Sequence, residues 1–114
     1  MVTRNMKAFI AAVSALSLLT ACSMTLPVKG QANDGSETFT GSATGYADGA
    51  GTLEITSNRG RKCTGTFVYV NGRQGSGTFT CNDGASGPFE FVSTGTRGTG
   101  TGMLNGRAFT FTFG

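Results

Sequence analysis

The chain contains no histidine, and this absence excludes much of the chemistry that small proteins perform. Histidine is the commonest general base, the commonest metal ligand and the centre of the Ser-His-Asp triad. The sequence also lacks a C-x-x-C motif, the usual pattern of a zinc site or a redox-active cysteine pair. We therefore expect no bound metal and no cofactor.

Carboxylates are also scarce, with only six aspartates and glutamates in the whole sequence. Asp48 and Asp83 lie in predicted turns, where aspartate stabilises the local backbone. Glu54 and Glu90 lie on the polar side of predicted strands. Acid–base hydrolysis needs two carboxylates in one cleft, and nothing in the spacing brings two together. We expect no catalytic residues, and the sequence is not that of an enzyme.

No hydrophobic run is long enough to span a bilayer, which needs ~20 apolar residues. The longest runs from Ala8 to Leu19 and follows two basic residues, Arg4 and Lys7. A short positive segment before ~7–15 apolar residues is typical of a secretory signal. Residues 1–21 are therefore predicted to be a signal peptide, with either Met1 or Met6 as the true start.

The signal ends in Leu19-Thr20-Ala21-Cys22, which resembles the lipobox of bacterial lipoproteins residue by residue. The resemblance implies cleavage before Cys22, a thioether-linked diacylglycerol on its sulfur and an acylated amine. The alternative is an ordinary signal peptide followed by an incidental cysteine. Because the residue after the cysteine is Ser23 and not aspartate, the resemblance implies a lipid anchor in the outer membrane, facing the periplasm.

Removing the signal changes the charge of the chain. Arg4 and Lys7 are two of the nine basic residues, so seven remain against six acidic ones, a net charge of about +1. The basic character therefore belongs largely to the signal, and nucleic acid is not an expected partner. Residues 22–37 contain few apolar side chains and are predicted to be the lipidated cysteine and a flexible tether.

Residues 38–114 have the pattern of an all-β domain, because Thr, Phe and Gly dominate and no helical stripe is present. Every phenylalanine after the signal is odd-numbered, and Leu53, Ile55, Cys63, Tyr69, Cys81 and Met103 share that parity. Since successive strand residues face opposite sides, the odd face is predicted to be the core. Four residues break this alternation: Val68, Val70, Val92 and Leu104.

The constant parity constrains the turns between these strands. Odd residues lie opposite odd residues in an antiparallel pair only if the loop has an odd number of residues. Three-residue loops are therefore predicted at 48–50, 71–73 and 105–107, and further turns are predicted at 58–60, 82–84 and 95–98. We predict an up-and-down antiparallel meander of seven strands, a curved sheet or small barrel, at about 38–46, 51–57, 62–70, 74–81, 88–93, 98–104 and 107–113.

Cys63 and Cys81 are predicted to form a disulfide. The turn at 71–73 pairs Val70 with Gln74, and continuing that register places the two cysteines opposite each other. An even cysteine pair in an oxidising periplasm favours a bridge. A redox-active or metal-binding pair is the alternative.

Residues 63–89 resemble a MORN repeat, through Gly65-Thr66-Phe67, Asn71-Gly72, Gly75-Ser76-Gly77, Asp83-Gly84 and Gly87-Pro88-Phe89. Phe67, Phe89 and Phe111 also recur at a fixed interval. The resemblance implies stacked hairpins used for scaffolding or membrane-proximal contacts, and it carries no catalytic residue. The alternative is that the pattern is not that of a MORN repeat, because any β-meander with glycine in its turns and phenylalanine in its strands would look similar.

Basic residues gather where predicted turns share one end of the meander: Arg59, Arg61, Lys62 and Arg107. They are a candidate patch for an anionic envelope polymer or lipid head group, and the alternative is solvated turn charge. The leading hypothesis is a small non-catalytic envelope lipoprotein that is structural or mediates interactions. The second is a periplasmic binding module or inhibitor that captures an envelope protein or glycan.

Overall fold

The structure, a computed structural model, describes residues 22–114 and confirms the predicted all-β antiparallel meander. These residues form eight strands that close into a small barrel in the order of the sequence. The strands are β1 (Ser23–Ala32), β2 (Thr38–Tyr46), β3 (Ala50–Ser57), β4 (Lys62–Tyr69), β5 (Gln74–Cys81), β6 (Ser86–Thr94), β7 (Arg97–Leu104) and β8 (Arg107–Phe113). In this part of the chain, no helix is long and apolar enough to cross a membrane. The predicted signal peptide lies outside the described residues.

Strand β1 replaces most of the predicted tether and closes the barrel. It pairs with β2 on one side and with β8 on the other. The prediction of a flexible tether is therefore wrong for residues 23–32, and the meander has eight strands instead of seven. The inward-facing residues of β1 are even-numbered, since Val28 lies opposite Gly41 and Phe113. Cys22 thus lies directly at the edge of the folded barrel.

Most of the predicted turns are confirmed. The loops at 58–60, 71–73 and 82–84 each contain three residues, and the first predicted loop lies one residue earlier, at 47–49. In each case odd residues stay opposite odd residues. The odd face of β2 to β6 therefore lines the barrel interior.

Strand β7 departs from this parity, because the turns on both sides of it have two residues. Thr94 pairs with Arg97, and Leu104 pairs with Arg107. The prediction of a three-residue loop at 105–107 is wrong. Asn105 and Gly106 alone form that turn, both with positive φ, 48° and 80°, which is the geometry of a type I′ hairpin.

The even residues of β7 consequently face inward. Leu104 is buried and Met103 is 41% exposed, so the assignment of Met103 to the core is wrong. Each of the two short turns changes the inward face from odd to even residues or back again, so the second turn reverses the effect of the first. For this reason the phenylalanines of β6 and β8 share one parity although the strand between them has the other.

Glycine and phenylalanine alternate around the inner wall. Gly77 lies opposite Phe89, Gly75 opposite Phe91 and Gly100 opposite Phe111. In each pair the ring occupies the space that a side chain on the glycine would need. The small residues therefore let large rings fill a narrow, strongly curved barrel.

The two ends of the barrel differ. The predicted disulfide joins Cys63 of β4 to Cys81 of β5, whose Cα atoms lie 3.9 Å apart in direct register. We call this the disulfide end; it carries the loops at 33–37, 58–61, 82–85 and 105–106. Phe79, Ala85 and Leu104 fill the interior beside the disulfide. The open end carries Cys22, the loops at 47–49, 70–73 and 95–96, and the C-terminus.

Candidate ligand-binding cavity

The interior of the open end is hollow. A cavity of about 500 Å³ lies between the side chains of all eight strands except β5 and β7, with its mouth beside Cys22 and Gly95. Its volume is within the range of ~300–1,000 Å³ that small-molecule sites occupy. None of its lining residues, which all lie between Cys22 and Phe113, carries a charged side chain.

The deep wall of the cavity is aliphatic and aromatic. Val28, Leu53 and Phe89 are each at most 3% exposed and form its floor. Phe91 makes edge-to-face contacts with Phe67, at a centroid distance of 5.2 Å and an interplanar angle of 85°. Edge-to-face aromatic pairs are worth ~0.5–1.5 kcal/mol beyond their burial. The wall is thus held in a defined shape instead of collapsing into the hollow.

The mouth is more polar than the floor. Tyr69 packs edge-to-face on Phe91 and its hydroxyl lies 3.4 Å from Oγ of Ser93. The Ser93 hydroxyl in turn donates to the backbone carbonyl of Arg73 at 3.3 Å. Met24, which is 54% exposed, and Tyr46, which is 48% exposed, flank the opening. The arrangement suits a ligand with an apolar body and a polar group at the mouth.

A buried ion pair closes the opposite, disulfide end. Glu37 is 2% exposed, and its Oε1 accepts a hydrogen bond from Nη1 of Arg61 at 3.4 Å. The second oxygen, Oε2, has no hydrogen-bond partner among the described residues. Nε of Arg61 also pairs with Asp83 at 2.9 Å. The pKa of Asp83 is lowered mainly by a hydrogen bond from the backbone N–H of Ala85. The charge of the neighbouring Arg61 lowers it further.

The predicted anionic-partner patch lies at this same end, but two of its four cations are engaged. Arg61 pairs with Glu37 and Asp83, and Arg107 pairs with Asp34 at 3.0 Å. Within residues 22–114, no acidic side chain pairs with Arg59 or Lys62. The loop at 33–37, which belongs to the predicted tether, supplies two of the acidic partners, Asp34 and Glu37.

A second, larger hollow of about 810 Å³ lies on the outer surface. Its walls are mostly outward-facing polar side chains of β1 and β5–β8, such as Thr99, Thr101, Thr110 and Thr112. The lining includes the exposed Val70 and Val92. Hydroxyls on this face point to water, so the groove does not enclose a ligand. The inner cavity is the better candidate site because it removes a ligand from water.

No cluster of three or more cysteine, aspartate or glutamate side chains within residues 22–114 is placed to hold a metal ion. The six carboxylates lie in turns and on the outer face, except for the buried Glu37. The residues that could bind a ligand are instead those of the apolar wall. The contacts that these apolar side chains offer are packing contacts.

Sequence reasoning missed this cavity because it missed β1. The signal was present: Met24, Leu26, Val28 and Ala32 alternate with polar residues and with Pro27. It was weak because the parity is even, opposite to that of the phenylalanines. A second signal was the pair Ala43 and Gly45, small residues on the inner face of β2 with no large ring opposite them. Small residues on both sides leave space in a barrel.

Comparison of the sequence with protein-family models and with curated proteins finds no match. Among solved structures, the chain is similar to a de novo designed fluorescence-activating β-barrel. The identity is 14% and the TM-score 0.61, over 78% of this chain and 88% of the designed one. A second solved structure, a redesigned β-barrel named mFAP1 bound to DFHBI, is similar with the same identity and TM-score. The match covers 78% of this chain and 90% of the redesigned one. At this identity the likeness concerns the fold alone.

Proposed function

We propose that this protein is a non-catalytic, lipid-anchored binding module of the bacterial outer membrane that holds one small apolar molecule inside its barrel. The observation that carries the proposal is the uncharged cavity of about 500 Å³ at the open end. The lipobox and Ser23 support the anchor and its place. A purely structural envelope protein, the leading hypothesis from the sequence, needs no such hollow.

The cavity favours a ligand over a void for a physical reason. Atoms that line an empty apolar space lose dispersion contacts, and apolar cavities of this kind hold water poorly. Burying an apolar molecule there removes its surface from water at roughly 25 cal/mol per Å². The designed barrel bound to DFHBI has the same architecture, which supports the view that an eight-stranded barrel of this size accommodates a small molecule.

A fluorescence titration tests the proposal. The soluble chain from residue 22, carrying Cys22→Ser, is titrated with the dye 8-anilino-1-naphthalenesulfonate, which brightens in apolar surroundings. The blocking variant is Gly45→Leu, because a Cβ at Gly45 meets no atom within 4 Å and points into the cavity. The control is Thr52→Leu, which places the same new side chain on the outer face of the neighbouring strand.

We expect saturable binding to the parent and to the control, and at least about tenfold weaker binding to Gly45→Leu. Equal affinity for all three proteins would place the dye on the outer surface and contradict the proposal. An absence of saturable binding to the parent would also contradict it, and would favour the structural role.

A further inference from the structure

We infer that the cavity holds one acyl chain of the lipid that Cys22 itself carries. The inference rests on the proposed function, from which it takes the lipidation of Cys22 and the binding capacity of the cavity. It adds the identity of the occupant. The occupant is chosen by the position of the anchor, the chemistry of the wall and the size of the hollow.

The position of the anchor is the first argument. Cys22 is exposed and is itself part of the cavity mouth. Strand β1 begins at Ser23, and Met24 and Leu26 continue from the mouth along the wall. No tether separates the lipid from the barrel, so an acyl chain attached to Cys22 starts at the opening. A tethered group at such short range has an effective concentration of the order of millimolar or more.

The chemistry of the wall fits a hydrocarbon chain with a polar linkage. The floor and walls are Leu, Val and Phe side chains without charge, and the hydroxyl of Tyr69 lies towards the mouth beside that of Ser93. A chain that enters from Cys22 leaves its ester or amide group among these mouth residues. The methylene groups then meet only apolar side chains.

The size of the hollow selects one chain. A methylene group is close in size to a water molecule, which takes ~30 Å³ of liquid volume. The cavity of about 500 Å³ therefore has room for roughly 16 methylene groups, which is one chain and not two. Of the three chains that the lipobox implies, two would remain in the bilayer, and two chains suffice for stable anchoring.

The energetics favour entry over an empty cavity. Moving a chain from the bilayer into the barrel exchanges one apolar surrounding for another, so the hydrophobic term nearly cancels. The dispersion contacts of the cavity wall are gained in addition, and they are missing while the cavity is empty. When the protein leaves the membrane, each methylene kept from water is worth ~0.8 kcal/mol, so the sheltered chain is then held firmly.

Photo-crosslinking tests the inference directly. Cells producing the full-length protein are fed a fatty acid with a terminal diazirine, which is incorporated into the lipid on Cys22. After irradiation of the membranes, the protein is digested and crosslinks from the lipidated N-terminal peptide are mapped by mass spectrometry. The blocking variant Gly45→Leu and the outer-face control Thr52→Leu are treated in the same way, and the acylated mass of each is recorded before irradiation.

We expect crosslinks to peptides containing Leu53, Phe67 or Phe91 in the parent and in the control, and their loss in Gly45→Leu at unchanged acylated mass. Crosslinks to membrane lipid alone would overturn the inference. So would crosslinks that persist in Gly45→Leu, a cavity adduct with the mass of the free fatty acid, or a Cys22 without acyl groups. Dye binding by the unlipidated Cys22→Ser chain separates the two proposals: if it binds while crosslinking fails, only the identity of the occupant is wrong.

Discussion

At the scale of single residues, glycine on the inner wall determines how closely the phenylalanine rings can pack. A Cβ at Gly77 would lie 2.6 Å from Cζ of Phe89 and would also meet the backbone oxygen of Thr66. At Gly45, which also faces inward, a Cβ would meet no atom within 4 Å. The same residue type thus serves close packing at one position and open space at the other.

Replacing Gly77 by alanine is therefore expected to destabilise the barrel, because neither the ring nor the backbone can move away without disturbing the wall. Overpacking of this kind costs ~1–3 kcal/mol. The matched variant Gly45→Ala should be neutral or stabilise by ~0.4–1 kcal/mol, since alanine restricts the unfolded chain. Urea unfolding of both variants measures the difference. Equal stabilities would show that the wall near Gly77 is loose.

A second residue-scale prediction concerns Asp34 in the loop at 33–37. The hydroxyl and N–H of Ser36 donate hydrogen bonds to its carboxylate, and Arg107 adds an ion pair, so the pKa of Asp34 is lowered to about 2. A lowered pKa means that this contribution to stability is complete above the unfolded value of 3.8. It is lost as the pH falls towards about 2.

Replacing Ser36 by alanine should raise the pKa of Asp34 towards 3.8, because the largest of its hydrogen bonds is removed. Arg107→Gln should raise it less. An NMR titration of the Asp34 carboxyl carbon checks both variants. A pKa that stays near 2 in Ser36→Ala would show that another group holds the carboxylate in its charged form.

At the scale of elements, the sequence predicts the positions of β2 to β8, because runs of threonine and phenylalanine alternate with turn residues along this part of the chain. The same argument places Cys63 opposite Cys81, as the structure does. It misses β1 and assigns the wrong inward face to β7, the two strands whose inward residues are even-numbered. Their inner residues are mostly small or aliphatic, such as Gly30, Gly100 and Leu26, so the period-two signal is faint. A parity rule identifies the inward face of a strand only if the large residues of that strand are on the inner side.

The disulfide gives an element-scale prediction. It joins β4 to β5 with a sequence separation of 18 residues. Closing a loop of this length is worth ~3 kcal/mol through the unfolded state. Replacing both cysteines by alanine should therefore lower the urea midpoint markedly while the fold is kept. Alkylation of the unreduced protein should label neither Cys63 nor Cys81, and two labels on these residues would contradict the bridge.

Strand β1 gives the second prediction at this scale. The chain from residue 23 should fold as a monomer, whereas the chain from residue 33 should associate or remain unfolded. Without β1, the edges of β2 and β8 are left unpaired, and exposed edges promote aggregation. Size-exclusion chromatography and near-UV circular dichroism compare the two. A monomeric, cooperatively folded chain from residue 33 would restore the tether hypothesis for β1.

At the scale of the whole molecule, the barrel is solid at one end and hollow at the other, and the hollow end carries Cys22, the proposed site of the membrane anchor. Replacing Cys22 by alanine is expected to remove the anchor and move the protein out of the membrane fraction. Retention in that fraction at unchanged mobility would show that the protein is held there by other means. If the protein is anchored through Cys22, the disulfide end, with Arg59 and Lys62, faces away from the bilayer.

The central claim is that an apolar ligand enters the barrel instead of binding outside it. It is tested most directly by NOEs between a bound fatty acid and the methyl groups of the Cys22→Ser chain from residue 22. We predict contacts from the fatty acid to Leu26, Val28 and Leu53, which line the cavity, and none to Leu104 at the disulfide end. Contacts confined to Val70 and Val92, which lie on the outer groove, would contradict the account.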